Sequence, residues 1–367
     1  MKRTTHIIFV LLALILSAPA NVLVSRATCR VSTLVGFFRR EKSPTEVGTL
    51  TPAQLRHHST LALNSVQQSG WFGTRLGTGG KDLNTVYFID TKRGWVGGDN
   101  GFFSRTEDGG LTWTQRSIGT THAINDIYFT TKDSGYALAG GSIFETSDGG
   151  HDWHEAHKFP PSEFGGASPE LYSLRFNGKK RGWVVGSVSR GDDIVNSILA
   201  ITRDAGVTWQ VLNAETRKEL IHVDFVDEKH GWTVGAAGTI LHTDDAGETW
   251  TRQDSGTNVT LYHVDFRNEH QGWAVGERGT ILRTEDGGRK WNSVPSRVNS
   301  TLLSVQFVSE DDGWIVGRNG VILRSDDRGR TWIDSESTTR SNLYALFINK
   351  KTGWAVGADG LILRYER

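Results

Sequence analysis

Six aspartates of this 367-residue chain share one setting, Ser/Thr-x-Asp-x-Gly-x-x-Trp: Asp108, Asp148, Asp204, Asp245, Asp286 and Asp327. A carboxylate can serve as nucleophile or general acid. Here a hydroxyl two residues before and a glycine two residues after make it a turn former, accepting backbone N–H bonds while the Trp packs beneath. The six are therefore read as structural. Asp192 and Asp193 form an adjacent carboxylate pair on an inserted stretch outside these turns, and hydrolysis of a glycoside would need two such groups. His151, His154 and His157 raise the question of a metal. On a strand the first and third share a face and the second takes the other, so the three do not converge without a bend. No Gly-rich phosphate loop, paired-cysteine motif or nucleophile elbow is present, so the sequence calls for no cofactor. Arg105, Arg283, Arg324 and Arg364 occupy one equivalent position, where related segments carry Glu145, Ile201 and His242. Two roles compete for them. Each arginine stacks on a Trp or pairs with a turn carboxylate, or the four form an electropositive arc that docks an acidic protein surface.

The elements that position these residues repeat about every 41 residues. A Gly-aromatic pair recurs at Trp95, Tyr136, Trp183, Trp232, Trp273, Trp314 and Trp354. Each aromatic has a Phe seven residues earlier: Phe88, Phe129, Phe176, Phe225, Phe266, Phe307 and Phe347. An outer Trp closes the first six units at Trp113, Trp153, Trp209, Trp250, Trp291 and Trp332. Glycines at 276 and 279 are read as sites of positive φ in a tight turn. Four short antiparallel strands per unit make a propeller blade. The blades run 82–113, 124–153, 170–209, 219–250, 260–291, 301–332 and 342–367. The last unit lacks its outer Trp, and Trp71 stands where an N-terminal strand would supply it. The expected fold is thus an all-β, seven-bladed propeller of four-stranded antiparallel blades, its ring closed by that strand so that no sheet edge stays open. Blade 3 carries extra length at 159–169 and 187–196, both expected on one face, where repeat proteins carry functional additions.

Lysine plus arginine equal aspartate plus glutamate, 41 each, which gives no general pull toward nucleic acid. Residues 1–20 read as a signal peptide, with Lys2 and Arg3, an apolar run over 7–16 and Ala18-Pro19-Ala20 as cleavage site. An uncleaved membrane anchor over 7–24 is the competing reading. Residues 21–70 read as a basic, largely unstructured tether with room for a short helix over 52–63, and a modest affinity for anionic membrane surfaces is the sharper reading. Residues 71–367 are the propeller. Cys29 is the single cysteine and lacks the context of a lipidation site, so no disulfide exists within the propeller.

The six aspartate turns match the Asp-box pattern that sialidases share with other propellers. The chain lacks the Arg-Ile-Pro segment with which sialidases usually start. The repeats Gly-Trp-Ala-Val-Gly-Glu-Arg-Gly-Thr-Ile-Leu-Arg-Thr-Glu-Asp-Gly-Gly and Gly-Trp-Ile-Val-Gly-Arg-Asn-Gly-Val-Ile-Leu-Arg-Ser resemble those of the photosystem II stability/assembly factor family, over about 71–367. That resemblance implies an exported, non-enzymatic, monomeric scaffold of the periplasm or thylakoid lumen, at the membrane surface, binding a newly made reaction-centre protein. It also implies an arginine patch at the partner site, to which Arg105, Arg283, Arg324 and Arg364 correspond here. A carbohydrate-active propeller hydrolase or lectin is the alternative.

Overall fold

The computed structural model describes residues 70–366. The signal peptide over 1–20 and the tether of 21–70, with its helix at 52–63, lie outside the described residues apart from Gly70. Seven four-stranded antiparallel sheets follow one another. Blade 5 shows the plan, with strands Leu261–Phe266, Gly272–Gly276, Ile281–Thr284 and Asn292–Ser293 from the axis outward. The first strands of neighbouring blades touch all the way round, so they line a central channel. In the seventh sheet, Leu343–Ile348, Thr352–Gly357 and Leu361–Glu366 are completed by Gly70–Arg75. Trp71 there lies opposite Tyr365 and is 3% exposed. The first and last strands close the ring, as the missing outer Trp of the last repeat requires.

The repeated aromatics hold each blade to the next. Trp183 lies face to face with Phe225 of blade 4, ring centroids 3.5 Å apart, and Trp250 meets that Phe edge-on at 5.7 Å. Trp232 with Phe266, Trp273 with Phe307 and Trp354 with Phe88 repeat the stack at 3.5–3.6 Å. Such pairs add about 0.5–1.5 kcal/mol beyond the area they bury. Trp314 alone has no Phe ahead of it. In blade 7 the turn after the first strand is one residue shorter, so Phe347 pairs with Trp354 while Ile348 takes the place facing glycine, opposite Gly353. The expected equivalence of Phe347 with Phe88 is therefore displaced by one residue. Trp314 packs instead on Trp71 and Tyr365, at 5.7 and 4.8 Å.

One glycine role differs from the sequence reading. Gly276 has an extended backbone with φ −164°, and positive φ falls on Arg278 and Gly279. Gly276 is required because a Cβ there would lie 2.2 Å from the Thr260 carbonyl oxygen. Gly247, in the aspartate turn of blade 4, combines φ +77° with a would-be Cβ 2.0 Å from Trp183 Nε1. Gly247→Ala is expected to cost about 2–5 kcal/mol, from left-handed strain plus overpacking. Gly256→Ala, at φ +67° with nothing within 4 Å, should cost only the left-handed strain of about 1–2 kcal/mol. Urea denaturation of the two variants measures the difference.

The extra length of blade 3 is built structure. Its first three strands, Ser168–Asn177, Arg181–Arg190 and Asp193–Thr202, each run ten residues. Ser168 pairs with Ser189, which in turn pairs with Ile194. Both additions thus rise side by side on one face. Phe159, Ala167 and Val188, all from these additions, are buried together.

Candidate functional site

Opposite each Gly-linked aromatic, the third strand places one residue: Arg105 opposite Trp95, Arg283 opposite Trp273, Arg324 opposite Trp314 and Arg364 opposite Trp354. Glu145, Ile201 and His242 hold this place in the other blades. The Arg105 and Arg324 guanidinium carbons lie 6.0 and 5.1 Å from the centroids of the Trp95 and Trp314 rings. All four guanidinium groups meet carboxylates. Arg105 pairs with Glu107 at 3.0 Å, Arg283 with Glu285 at 2.6 Å and Arg364 with Glu366 at 2.8 Å. The partners are not the aspartates of the turn motif. Three of them sit two residues further along the chain, Glu366 within the same strand and Glu107 and Glu285 one residue past its end. Hydrogen bonding to Arg283 holds Glu285 below the usual carboxylate range.

The arginines also reach around the ring. Arg105 donates to the His151 ring at 2.9 Å in the turn of blade 2, and Arg283 Nε donates to the Arg328 carbonyl of blade 6 at 2.8 Å. Blade 7 has no aspartate turn, because its outer strand comes from the other end of the chain. Arg324 turns back to Asp312 of its own blade at 3.1 Å.

The turn aspartates share one geometry. The Thr106 hydroxyl donates to Asp108 at 2.8 Å and accepts the Gly110 N–H at 2.9 Å. Thr112 donates to Asp108 from both N–H and hydroxyl, the latter at 2.6 Å. These bonds, led by the Thr112 hydroxyl, pull the Asp108 carboxyl down to about 2. Asp148, Asp204, Asp245, Asp286 and Asp327 accept the corresponding bonds from Thr146, Thr202, Thr243, Thr284 and Ser325. Asp192 and Asp193 are exposed beside Gly191, where the long hairpin of blade 3 reverses. His151 contacts Arg105, His154 is exposed, and His157 packs edge-on against Phe159 at 4.6 Å.

The channel holds charged groups that the sequence reading missed. Facing each Gly-linked aromatic from the first strand are Tyr87, Tyr128, Arg175, Asp224, Asp265, Gln306 and Phe347. Most reach forward to the next blade. Tyr87 and Tyr128 donate to the Phe129 and Phe176 carbonyls at 3.1 and 3.0 Å. Asp224, Asp265 and Gln306 accept the N–H groups of Phe266, Phe307 and Ile348 at 2.8–2.9 Å. Arg175 bridges both ways, to Asp126 at 3.1 Å and to His222 at 2.8 Å, and His222 stacks on His263 at 3.6 Å. Burial raises the carboxyls of Asp126, Asp224 and Asp265. Burial, helped by Arg175, pushes His263 down to about 3. In blades 1 to 6 these residues directly precede the repeated Phe, and Asp126, His222 and His263 stand three before it, in strands where polar and apolar residues are mixed.

Residues 201–297, 252–335 and 295–366 each match the family model described as photosynthesis system II assembly factor YCF48. The three matches together span residues 201–366, over which the chain is similar to that family. A solved YCF48 bound to D1 peptide superposes with a TM-score of 0.67 at 22% identity, over 82% of this chain and 96% of that one. YCF48 from Cyanidioschyzon merolae gives 0.67 at 19%, over 81% and 99%. Virginiamycin B lyase from Staphylococcus aureus gives 0.67 at 11%, over 82% and 100%, a likeness of fold alone. None of the curated proteins matches the chain.

Proposed function

We propose that this propeller is a non-catalytic scaffold of the YCF48 family, exported to the thylakoid lumen or periplasm. It grips an acidic segment of a photosystem II assembly intermediate at the membrane surface. The family match carries the reading, and the D1 peptide held by a solved YCF48 supports a protein partner. The docking residues are Arg105, Arg283, Arg324 and Arg364. Glu107 and Glu285 are 68% and 54% exposed, whereas their arginines are 9% and 11% exposed. An incoming carboxylate can displace such a glutamate and inherit an arginine already fixed by packing, which spares part of the ordering cost of binding. Arg324 is held by Asp312, itself 12% exposed, and contributes mainly field. The hydrolase alternative draws no support from Asp192 and Asp193, adjacent at an exposed hairpin tip.

Arg105→Gln with Arg283→Gln removes two charges while keeping polar side chains in place. Capture of a D1 peptide is expected to weaken at least tenfold, with a shallower salt dependence, as attraction screened over about 10 Å at 0.1 M salt is lost. Unchanged capture by the folded double variant would assign these arginines to structure.

A further inference from the structure

A cleft of about 740 Å³ opens between blades 4 and 5, on the edge carrying the aspartate turns. Three histidines line it, His230, His242 and His270, together with Glu269 and Asp244. Asp227 is pinned by the N–H groups of Lys229 and His230, both at 2.7 Å. Its second oxygen lies 2.8 Å from His230 Nδ1. That contact fixes the ring and leaves Nε2 aimed at the neighbouring blade, 3.6 Å from Glu269 Oε2. The other oxygen of Glu269 is 3.5 Å from His270 Nε2. The ligand-type atoms of Asp227, His230 and Glu269 all lie within 4.8 Å of one another.

We infer that this cleft is a binding site for a divalent cation of the zinc class, with His230 Nε2 and Glu269 as ligands and Asp227 as the carboxylate that orients His230. The 3.6 Å between the two ligand atoms is long for a hydrogen bond. It is close to the roughly 3.4 Å between two ligands that share a tetrahedral ion at about 2.0–2.1 Å. A carboxylate on the far nitrogen of a ligating imidazole is the usual support for such a ligand. Blade 1 supplies an internal contrast. Its turn fastens Arg93 to Asp90 at 2.9 Å in the same way, placing a permanent cation where blade 4 places an imidazole lone pair. The equivalent third-strand position is also relieved of its arginine, since His242 stands there and burial keeps its ring below the usual histidine range. Arg252 and Arg289 also face the cleft, beside Asp244, Asp254 and Asp286, so the cation meets a mixed field and depends on direct ligation. The site is independent of the arginines assigned to partner docking.

Zn²⁺ added to the full-length protein tests the assignment, with binding read by competition against a chromophoric chelator and Co²⁺ absorption reporting nitrogen and oxygen ligation. One equivalent is expected to bind more tightly than about 1 mM. His230→Ala with Glu269→Gln should weaken it by more than about 30-fold, and Asp227→Asn by about 10-fold. All three positions lie on turns, so melting without metal should stay close to the parent, and each variant remains interpretable. Cys29, His57 and His58 offer other ligands in the same chain. Binding that survives the double variant, or none tighter than about 1 mM, overturns the inference.

Discussion

A chain beginning at residue 81 is expected to be largely insoluble and to lose the cooperative melting transition of the full protein, whereas one beginning at residue 61 should behave as the parent. The longer deletion removes Gly70–Arg75, the outer strand of the seventh sheet, and bares the edge of Leu361–Glu366. It also removes Trp71, which is 3% exposed and packs on Trp314 and Tyr365. Loss of one buried Trp alone costs about 3–5 kcal/mol. The deletion further takes Arg75, whose guanidinium donates to the carbonyls of Ala358 and Asp359 at 3.0 Å. An open, apolar sheet edge is a template for association between chains. Solubility and a melting scan of the two deletions decide the matter. A cooperative transition at the parental temperature for the 81-start chain would mean that this strand does not seal the ring.

Arg175→Met should destabilise the propeller at pH 7 by about 3 kcal/mol, because it strands Asp126 in the channel without its counter-ion. The pair is close, at 3.1 Å, and its side chains are 22% and 15% exposed. Burial already raises the Asp126 carboxyl above its ordinary value, with Arg175 opposing that rise. Without Arg175 the carboxyl should rise further. A carboxyl raised in the folded state withholds stability at pH values above its folded pKa. That stability returns as pH falls through the folded pKa toward the unfolded value of about 3.9. The deficit of the variant should therefore shrink as the pH is lowered from 7 toward 5. Arg175→Met combined with Asp126→Asn should recover part of the loss at pH 7. Denaturant titrations at both pH values test the sign. A deficit that grows in acid would show that Asp126 is not the group left stranded.

The ring was legible because its fasteners are large and periodic. A Trp or Phe at constant spacing can be counted, and the one missing outer Trp points to its replacement at Trp71. Counting failed where two changes cancelled. Phe347 keeps the seven-residue spacing to Trp354, yet a turn one residue shorter moves it into the register of Tyr87. Gly276 was misread because a glycine between strands suggests positive φ, while the approach of Thr260 belongs to the fold rather than to the local chain. The arginine position was visible in the repeat, and its glutamate partners were within reach, since three of the four arginines are followed two residues later by a glutamate. The channel was harder. Tyr, Arg, Asp, Gln and Phe fill one structural place, so no residue type recurs to mark it. The cluster of Asp227, His230 and Glu269 joins turns of two blades, and only the packing of one blade on the next brings it together.

The seam between the two ends also sets an order in time. Arg75 and Asp359, joined across it, are 284 positions apart. At about 5–20 residues per second a ribosome needs roughly 15–60 s to pass from one to the other. Throughout that interval the strand bearing Trp71 is a short apolar segment without its partner, while the six blades that follow can pair from hairpins already made. Among the described residues the first strand to be synthesised is thus the last to be placed, and until then the edge of the seventh sheet that it covers stays open to pairing with another chain.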